Sequence, residues 1–318
     1  MSEAPVLYLV IPCYNEEEVL PITLPAVTDK LNRLKAAGLC HEDSRVLFVD
    51  DGSKDATWSL LEQAFSQRGD VCAVKLAHNR GHQNALYAGL MTALPYADCA
   101  VSMDADLQDD VEVLDDFLQK FREGCDVVYG VRKARKKDTF FKRATARGFY
   151  RFMRRMGADV VYDHADYRLM SKRALQALAE YGESNLFLRG IVPDIGYKSD
   201  VVTYERNERA AGQSKYPLRK MIAFAVDGIT SFSVKPLALI SRAGIVISLL
   251  SVLGLIYALV SKFFLPGTEP GWTAIIASIW LLGGIQLFCL GILGTYIGKI
   301  FGEVKHRPRY VAEKFLKK

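Results

Sequence analysis

Residues 99–108 read CAVSMDADLQ, a short apolar run that ends in two aspartates two positions apart. Further apolar runs of strand length lie at 6–11, 45–49, 71–76 and 127–131, separated by stretches with helical spacing such as 17–34 and 57–65. Strands alternating with helices predict an α/β fold, in which a mostly parallel sheet carries helices on both faces. The run at 99–103 is the fourth predicted strand, so its two aspartates lie at a strand end.

Polar residues follow three of the predicted strands directly, at 12–16 (PCYNE), 50–53 (DDGS) and 104–106 (DAD). In an open α/β sheet, ligands bind at the carboxyl ends of the strands. Each residue also has a local interpretation, because Asn15 and Asp55 are typical helix caps and a carboxylate after a strand often begins a turn. Three polar strand ends together favour a binding site. The sequence contains neither GxGxxG nor GxxxxGK[ST], so a bound nucleotide would need a metal at its phosphates.

The segment after the fourth strand offers oxygen ligands for that metal. In an extended chain the side chains of Asp104, Asp106 and Gln108 share one face. Ligation by oxygen alone selects a hard cation, Mg²⁺ or Mn²⁺, which joins carboxylates to a diphosphate. His78 and His82 lie four residues apart without the glutamate of the zinc-protease motif, so we interpret them as incidental.

Charge is distributed unevenly along the 318 residues, whose formal net charge is +5. Between 132 and 155 lie 11 basic residues and one acidic residue, with aromatic side chains interleaved. One basic segment on an otherwise acidic chain is not typical of a nucleic-acid-binding protein. A solvated helix is one interpretation of this basic belt. Its aromatic residues favour the other, an interfacial element that contacts anionic lipid.

Two long uncharged stretches lie near the C-terminal end. Nineteen residues separate Arg242 from Lys262, and 29 separate Glu269 from Lys299. Each is close to the 20 residues or so that cross a bilayer, so we predict a transmembrane hairpin in preference to buried core helices. Basic residues flank both outer ends, which predicts that both termini are cytoplasmic. The first residues lack the positive charge of a signal peptide.

These features predict four parts of the chain. They are a cytoplasmic α/β domain at 1–215, for which the resemblance given next implies catalytic function, juxtamembrane amphipathic helices at 216–241, two transmembrane helices at 242–300 and a cytoplasmic tail at 301–318.

Seven motifs carry a resemblance to a known family: PCYNEE (12–17), DDGSKD (50–55), NRG (79–81), DADLQD (104–109), DYRLM (166–170), FLRG (187–190) and GQSKY (212–216). Their order resembles that of family 2 glycosyltransferases with the GT-A fold, a Rossmann-like α/β domain. More narrowly, the chain resembles polyprenyl-phosphate glycosyltransferases of the bactoprenol glucosyltransferase and dolichol-phosphate mannose synthase type. The resemblance spans nearly the whole chain. It departs at 163–166 (DHAD), where many relatives have Gly or Ser near the aromatic-Arg motif.

The resemblance implies a role for each matching residue. The nucleotide would be bound by Pro12, Tyr14, Glu16, Asp51 and Asp104, and the metal by Asp104, Asp106 and Gln108. Phosphates of donor or acceptor would meet Arg132, Arg168 and Lys215. Asp106 and Asp166 would be the catalytic carboxylates. Asp166 would orient the acceptor or join the outer shell of the metal, and the alternative is a structural ion pair with Arg168 or another basic residue.

The implied reaction transfers a sugar from a nucleotide diphosphate sugar to polyprenyl (undecaprenyl) phosphate with inversion. UDP-glucose is the first choice of donor, followed by UDP-N-acetylglucosamine and GDP-mannose. A processive polysaccharide synthase would carry more spans and a QxxRW motif, which the sequence lacks. A non-catalytic nucleotide-sensing membrane scaffold is the alternative from another class. The resemblance also implies a homo-oligomer, specifically a tetramer.

Overall fold

The computed structural model describes residues 4–132, 164–183, 186–205, 235–264 and 271–318. The chain divides into two compact units. The first contains the described residues 4–132, 164–183, 186–205 and 307–318, and the second contains 235–264 and 271–306. The basic belt beyond Arg132, the GQSKY motif with Lys215 and most of the predicted juxtamembrane segment lie outside the described residues.

Within the described residues, the first unit is built on one eight-stranded sheet. Its strands are β1 (Leu7–Cys13), β2 (Arg45–Asp50), β3 (Val71–Leu76), β4 (Cys99–Ser102), β5 (Val127–Arg132), β6 (His164–Ser171), β7 (Ser199–Tyr204) and β8 (Ala312–Leu316). Its described helices are α1 (Leu20–Ala36), α2 (Thr57–Gln67), α3 (His82–Ala93), α4 (Leu114–Arg122), α5 (Lys172–Glu180) and α6 (Leu188–Asp194). The five predicted strands and the two predicted helices are therefore confirmed, with ends shifted by a few residues.

The strand order is β7-β5-β6-β4-β1-β2-β3-β8. Strands β1 to β4 pair in parallel, as does β5 with β7. Strand β6 is antiparallel to both β4 and β5, and β8 is antiparallel to β3. The predicted α/β fold is confirmed, and the sheet is mixed.

The core follows from the apolar central strands. All seven residues of β1 are buried, and β2 and β4 are buried almost throughout, because helices cover both faces of the sheet. The amphipathic helix α4 buries Leu114, Phe117 and Leu118. A sheet packed on both faces gives the strand ends a fixed position, so the loops that follow them have a rigid base.

Strands β6, β7 and β8 were not predicted, because charged and polar residues interrupt their apolar pattern. Strand β6 contains Asp166 and Arg168, and β8 reads AEKFL. Strand β8 comes from the segment predicted as a cytoplasmic tail. Its pairing with β3 makes residues 312–316 an edge strand of the first unit.

The second unit contains two long helices, α7 (Lys235–Phe264) and α8 (Trp272–Val304). Within the part of the chain that the structure describes, one helical segment, Leu281–Val304, is long and apolar enough to cross a membrane. Large apolar side chains of α8 are exposed, among them Leu287 and Phe288. The first predicted span falls within α7, and the two-helix transmembrane hairpin stays a prediction.

Candidate active site

The carboxyl ends of β1, β2 and β4 lie side by side in the first unit. Cys13 of β1 is level with Asp50 of β2, and Val10 of β1 is level with Ser102 of β4. The polar segments that follow these strands therefore start from the same edge of the sheet. This arrangement is the one expected for a ligand site in an α/β fold.

The antiparallel strand β6 brings Asp166 to this edge. In the register of β4 with β6, Ser102 lies opposite Arg168, so the first residues of β6 run beside the segment that follows β4. The Ser102 hydroxyl donates to the backbone oxygen of Asp166 and locks this alignment. Because an antiparallel strand starts where its neighbour ends, Asp166 and Asp104 come together although 62 positions separate them in sequence.

Four side chains surround the buried carboxylate of Asp166. Arg168 donates to Oδ1 at 2.6 Å, and Arg189 contacts Oδ1 at 3.2 Å and Oδ2 at 3.1 Å. On the Oδ2 side, Gln83 Nε2 lies at 3.2 Å and His82 Nε2 at 3.5 Å. Burial alone would raise the pKa of Asp166, but the hydrogen bond to His82 and the two guanidinium groups hold it well below its usual value. Asp166 is therefore a fixed anion.

His82, which the sequence analysis interpreted as incidental, becomes a functional candidate through its contacts in the structure. It is the first residue of α3, and its Nε2 lies 3.6 Å from Asp104 Oδ1 and 3.5 Å from Asp166 Oδ2. Burial lowers the pKa of His82, but hydrogen bonding to Asp166 and the charge of Asp104 raise it above its ordinary value. The imidazole thus links Asp104, which follows β4, to Asp166 near the start of β6.

Arg168 differs from its predicted role as a phosphate contact. Its side chain is 2% exposed, and its guanidinium is committed to Asp166 and to the backbone oxygen of Leu188 at 3.2 Å. The contacts of Arg168 fit the alternative given in the sequence analysis, a structural ion pair between Asp166 and Arg168. Arg189, whose side chain is 34% exposed, holds the more accessible face of Asp166.

The loop after β4 carries the predicted metal ligands. Asp106 Oδ1 accepts the backbone N–H of Gln108 at 3.2 Å, and Leu107 between them has a positive φ of 53°. Burial raises the pKa of Asp104 to about 6, and the neighbouring carboxylates, Asp106 among them, add to that rise. A site where carboxylates repel one another fits a cation.

Among the described residues, no group of three or more His, Cys, Asp or Glu side chains is arranged to hold a metal ion. Two aspartates and one glutamine are nevertheless sufficient protein ligands for Mg²⁺, which takes one or two carboxylates and completes its shell from water and substrate phosphates. The donor set of Asp104, Asp106 and Gln108 fits such an ion.

The loops after β1 and β2 form the other half of the edge. Asp51 is 2% exposed, and its two carboxylate oxygens accept the backbone N–H groups of Arg80 and Gly81 at 2.7 and 2.9 Å. The Asn15 side chain accepts the N–H of Lys54 at 2.9 Å. These bonds fix the geometry of the loops, while the predicted stacking residue Tyr14 stays 42% exposed. Of the other predicted nucleotide ligands, Pro12 lies buried in β1 and Glu16 is partly buried.

We expect Gly52→Ala to destabilise this half of the site. Gly52 has a φ of +67°, and an added Cβ would lie 2.7 Å from the backbone of His78 and Asn79. The left-handed conformation alone costs roughly 1–3 kcal/mol for a residue with a side chain. In thermal unfolding, Gly52→Ala should melt several degrees below the wild type. The control is Gly69→Ala, because nothing lies within 4 Å of a Cβ added there. If the two variants have the same melting temperature, the close contact described at Gly52 is wrong.

Arg132, a predicted phosphate contact, ends β5 and already has partners. It donates to Asp109 Oδ1 at 3.0 Å and to the Tyr204 hydroxyl at 3.2 Å, with 26% of its side chain exposed. Tyr204 also donates to Asp109. The ion pair positions Arg132 beside the loop after β4, at the start of the basic belt.

The roles predicted for the site residues stay predictions, and the structure shows which of these residues lie together. It brings together Asp104 and Asp166, joins them through His82, and adds Gln83 and Arg189, for which the sequence analysis assigned no role. The FLRG motif was the only sequence signal for Arg189. Lys215 lies outside the described residues.

Residues 8–179 match the family described as Glycosyl transferase family 2, which is more than half of the chain. The chain therefore belongs to glycosyl transferase family 2, which confirms the resemblance drawn from the motifs, and it is a glycosyltransferase.

Similar proteins extend the match to nearly the full length. YkoT of Bacillus subtilis (strain 168), an uncharacterized glycosyltransferase, is 53% identical over 97% of this chain and 91% of its own length. The bactoprenol glucosyl transferase of Shigella phage SfV is 35% identical over 95% of this chain and 96% of its own length. Among solved structures, glucosyl-3-phosphoglycerate synthase from Mycobacterium tuberculosis, in complex with Mn²⁺, UDP and glucosyl-3-phosphoglycerate, has a TM-score of 0.46 and 20% identity, covering 76% of this chain and 80% of that chain.

Proposed function

We propose that this glycosyltransferase transfers glucose from UDP-glucose to undecaprenyl phosphate with inversion, giving a lipid-linked monosaccharide. The observation that carries the proposal is the 35% identity to the phage bactoprenol glucosyl transferases, which extends over 95% or more of this chain. That length includes the site at the sheet edge and both long apolar helices. UDP-N-acetylglucosamine and GDP-mannose are the alternative donors.

In this proposal, the loops after β1, β2 and β4 bind the nucleotide sugar. Tyr14 offers an exposed ring for stacking on the base, and carboxylates such as Glu16 and Asp51 accept from base N–H and ribose hydroxyl groups. Asp104, Asp106 and Gln108 would hold Mg²⁺ or Mn²⁺ at the diphosphate. Once bound, such an ion supplies Lewis-acid stabilisation of the departing diphosphate.

The acceptor phosphate requires little activation. A phosphate monoester has a second pKa near 6, so at pH 7 its oxygen is already a nucleophile. It attacks the anomeric carbon from the face opposite the diphosphate, the bond from that carbon to the diphosphate oxygen breaks, and the configuration inverts. Arg132 and Lys215 would hold the phosphates. Because Arg168, Arg189 and His82 surround Asp166, we assign this carboxylate a positioning role and not that of a base.

The pH dependence tests this assignment. We expect Asp166→Asn to retain measurable transfer, and we expect the wild-type rate to rise with pH through an apparent pKa near 6, about that of the acceptor phosphate. Rates measured from pH 5 to 8 at saturating donor would show it. A different apparent pKa that vanishes in Asp166→Asn would identify Asp166 as the base.

Membrane association completes the proposal. Helices α7 and α8 would form a transmembrane hairpin with both termini in the cytoplasm, the basic belt would contact anionic lipid, and the protein would assemble as a tetramer. The apolar segment Leu281–Val304 and the membrane-lipid substrate named for the bactoprenol relatives support a membrane location.

Replacing four arginines of the belt, Arg147, Arg151, Arg154 and Arg155, with Gln should raise the KM for polyprenyl phosphate about tenfold or more. Each basic residue near an anionic leaflet contributes about 1 kcal/mol, and salt screens that contribution. The donor KM should change little. Steady-state kinetics in anionic liposomes at two salt concentrations would show the wild type losing acceptor affinity more steeply. If the acceptor KM of both proteins depends equally on salt, the basic belt does not bind the acceptor or its membrane surface.

A donor screen tests the choice of sugar. The full chain in liposomes with undecaprenyl phosphate is given labelled UDP-glucose, UDP-N-acetylglucosamine or GDP-mannose in turn, and the product is extracted into organic solvent. We expect label in the lipid fraction with UDP-glucose and much less with the other two. Preference for another donor would overturn the sugar assignment alone. Nucleotide binding without transfer from any donor would favour the non-catalytic scaffold.

A further inference from the structure

Helix α3 presents two residues of one face to the stretch that runs from the end of α5 into the first turn of α6, which we call the connector and of which the structure describes residues 181–183 and 186–189. Gln83 and Tyr87 are four positions apart, so their side chains lie one turn apart on the same side of the helix. Gln83 contacts Leu188 at the inner end of the connector, residues 186–189. Tyr87 contacts Arg309 and Tyr310, and Arg309 in turn binds the outer end of the connector, residues 181–183.

The inner end of the connector is fixed at the active site. Gln83 Oε1 accepts the backbone N–H of Leu188 at 3.1 Å, while its Nε2 donates to Asp166. Arg168 donates to the Leu188 oxygen, and the next residue, Arg189, contacts both oxygens of Asp166. The position of Arg189 at Asp166 thus depends on where the connector backbone lies.

The outer end is held by the C-terminal segment of the chain. Arg309 donates to the backbone oxygens of Tyr181 and of Glu183, the latter at 2.8 Å. Its guanidinium carbon lies 4.5 Å from the centre of the Tyr87 ring, and the Tyr310 ring contacts the same ring edge-on at 6.3 Å. A planar guanidinium suits this site because it donates in two directions while stacking on an aromatic face.

The C-terminal segment is itself anchored to the sheet. Just after Tyr310, the Val311 oxygen accepts the N–H of Ala77, and Ala312–Leu316 continues as β8 along β3. Arg309 therefore projects from a fixed strand and not from a loose terminus. Both ends of the connector are consequently tied to one face of α3.

We propose that Arg309 is a positioning residue, which holds the outer end of the connector on α3 and thereby keeps Arg189 at Asp166. Through it, the segment that follows the last apolar helix contributes to the acceptor side of the active site. The contact network is independent of any substrate. Only the kinetic consequence rests on the proposed function.

Hydrogen exchange of the full chain in detergent tests the contact directly. We expect Arg309→Gln to speed amide exchange in a peptide covering residues 186–190 by about tenfold, the effect of losing bonds from a charged donor. The exchange rate of Arg309→Lys should lie between those of the wild type and Arg309→Gln, because an ammonium group cannot bond to both carbonyl oxygens while stacking on Tyr87. The control is Lys314→Gln, which removes the β8 ion pair with Glu62 at 2.6 Å, away from the connector.

Two exchange results would overturn the proposal: unchanged exchange at 186–190 in Arg309→Gln, or faster exchange spread evenly over β1 to β4 as well. Kinetics supply the second readout. We expect kcat/KM for polyprenyl phosphate to fall about tenfold in Arg309→Gln with the UDP-glucose KM within about twofold of wild type, since Arg309 binds the backbone of Tyr181 and Glu183 and the proposed function assigns no nucleotide contact to these residues or to Arg189. A wild type without transfer activity would contradict the proposed function, and the exchange result would still decide the role of Arg309.

Discussion

Asp106→Asn should reduce sugar transfer by about 100-fold or more, because the substitution removes one of two carboxylates available to a cation at the donor diphosphate. The amide keeps the size of the side chain and an oxygen that can accept the N–H of Gln108, so the loop should keep its shape. The measurement is the initial rate of lipid-linked product at saturating donor and acceptor.

The matched control is Asp116→Asn, the same change of charge at an exposed position of α4. It should leave the rate unchanged. Retention of more than about a tenth of the wild-type rate in Asp106→Asn, a barrier change below about 1.4 kcal/mol, would remove Asp106 from the metal site.

Chelation tests the same ligands without mutation. EDTA should stop transfer by the wild type, and added Mg²⁺ or Mn²⁺ should restore it, because all-oxygen ligands favour hard cations. The tightness of nucleotide binding, measured by titration with UDP, should fall in parallel. Full activity in EDTA, or no recovery with either ion, would contradict the proposed ligand set.

The second large effect is on stability. Asp166→Ala leaves the Arg168 guanidinium buried without the carboxylate that lies 2.6 Å away. Breaking a buried ion pair by removing one partner costs about 3–5 kcal/mol, because the remaining charge is uncompensated. We expect the melting temperature of the purified protein to fall by roughly 10 °C.

Two further variants separate this cause from a general loss of packing. Asp166→Ala combined with Arg168→Met should recover part of the lost stability, since the orphaned charge is gone. Asp43→Asn, at a carboxylate 70% exposed that pairs with Arg45 at 3.7 Å, should melt like the wild type. If the double variant melts below Asp166→Ala, the ion pair is not the source of the effect.

The central strands of the fold could be predicted from the sequence because their signals are local. Strands β1 to β5 are apolar runs, and the polar segments after β1, β2 and β4 mark the edge where the site forms. Family motifs supplied the candidate ligands. All of these follow from residues that are neighbours along the chain.

The remaining contacts depend on pairing between distant segments. Nothing in the DYRLM motif shows that β6 runs antiparallel to β4, and that register alone places Asp166 beside Asp104. His82 looked incidental because its partners lie 22 and 84 positions away in the sequence. The family resemblance implied a phosphate contact for Arg168, and its burial and its contact with Asp166 favour the ion pair that was the alternative. Residues 312–316 read AEKFL, which has neither an apolar run nor a regular alternation, so nothing in this segment predicts a strand without the free edge of β3.

The most direct test of the central claim compares two acceptors that differ only in the phosphate. The wild-type chain in liposomes receives UDP-glucose with either undecaprenyl phosphate or undecaprenol, and the organic extract is analysed by mass spectrometry and NMR. We predict one hexose added to undecaprenyl phosphate with an anomeric configuration opposite to that in the donor, and no product from undecaprenol. Glucose joined to undecaprenol, retained configuration, or an insoluble polymer would contradict the account.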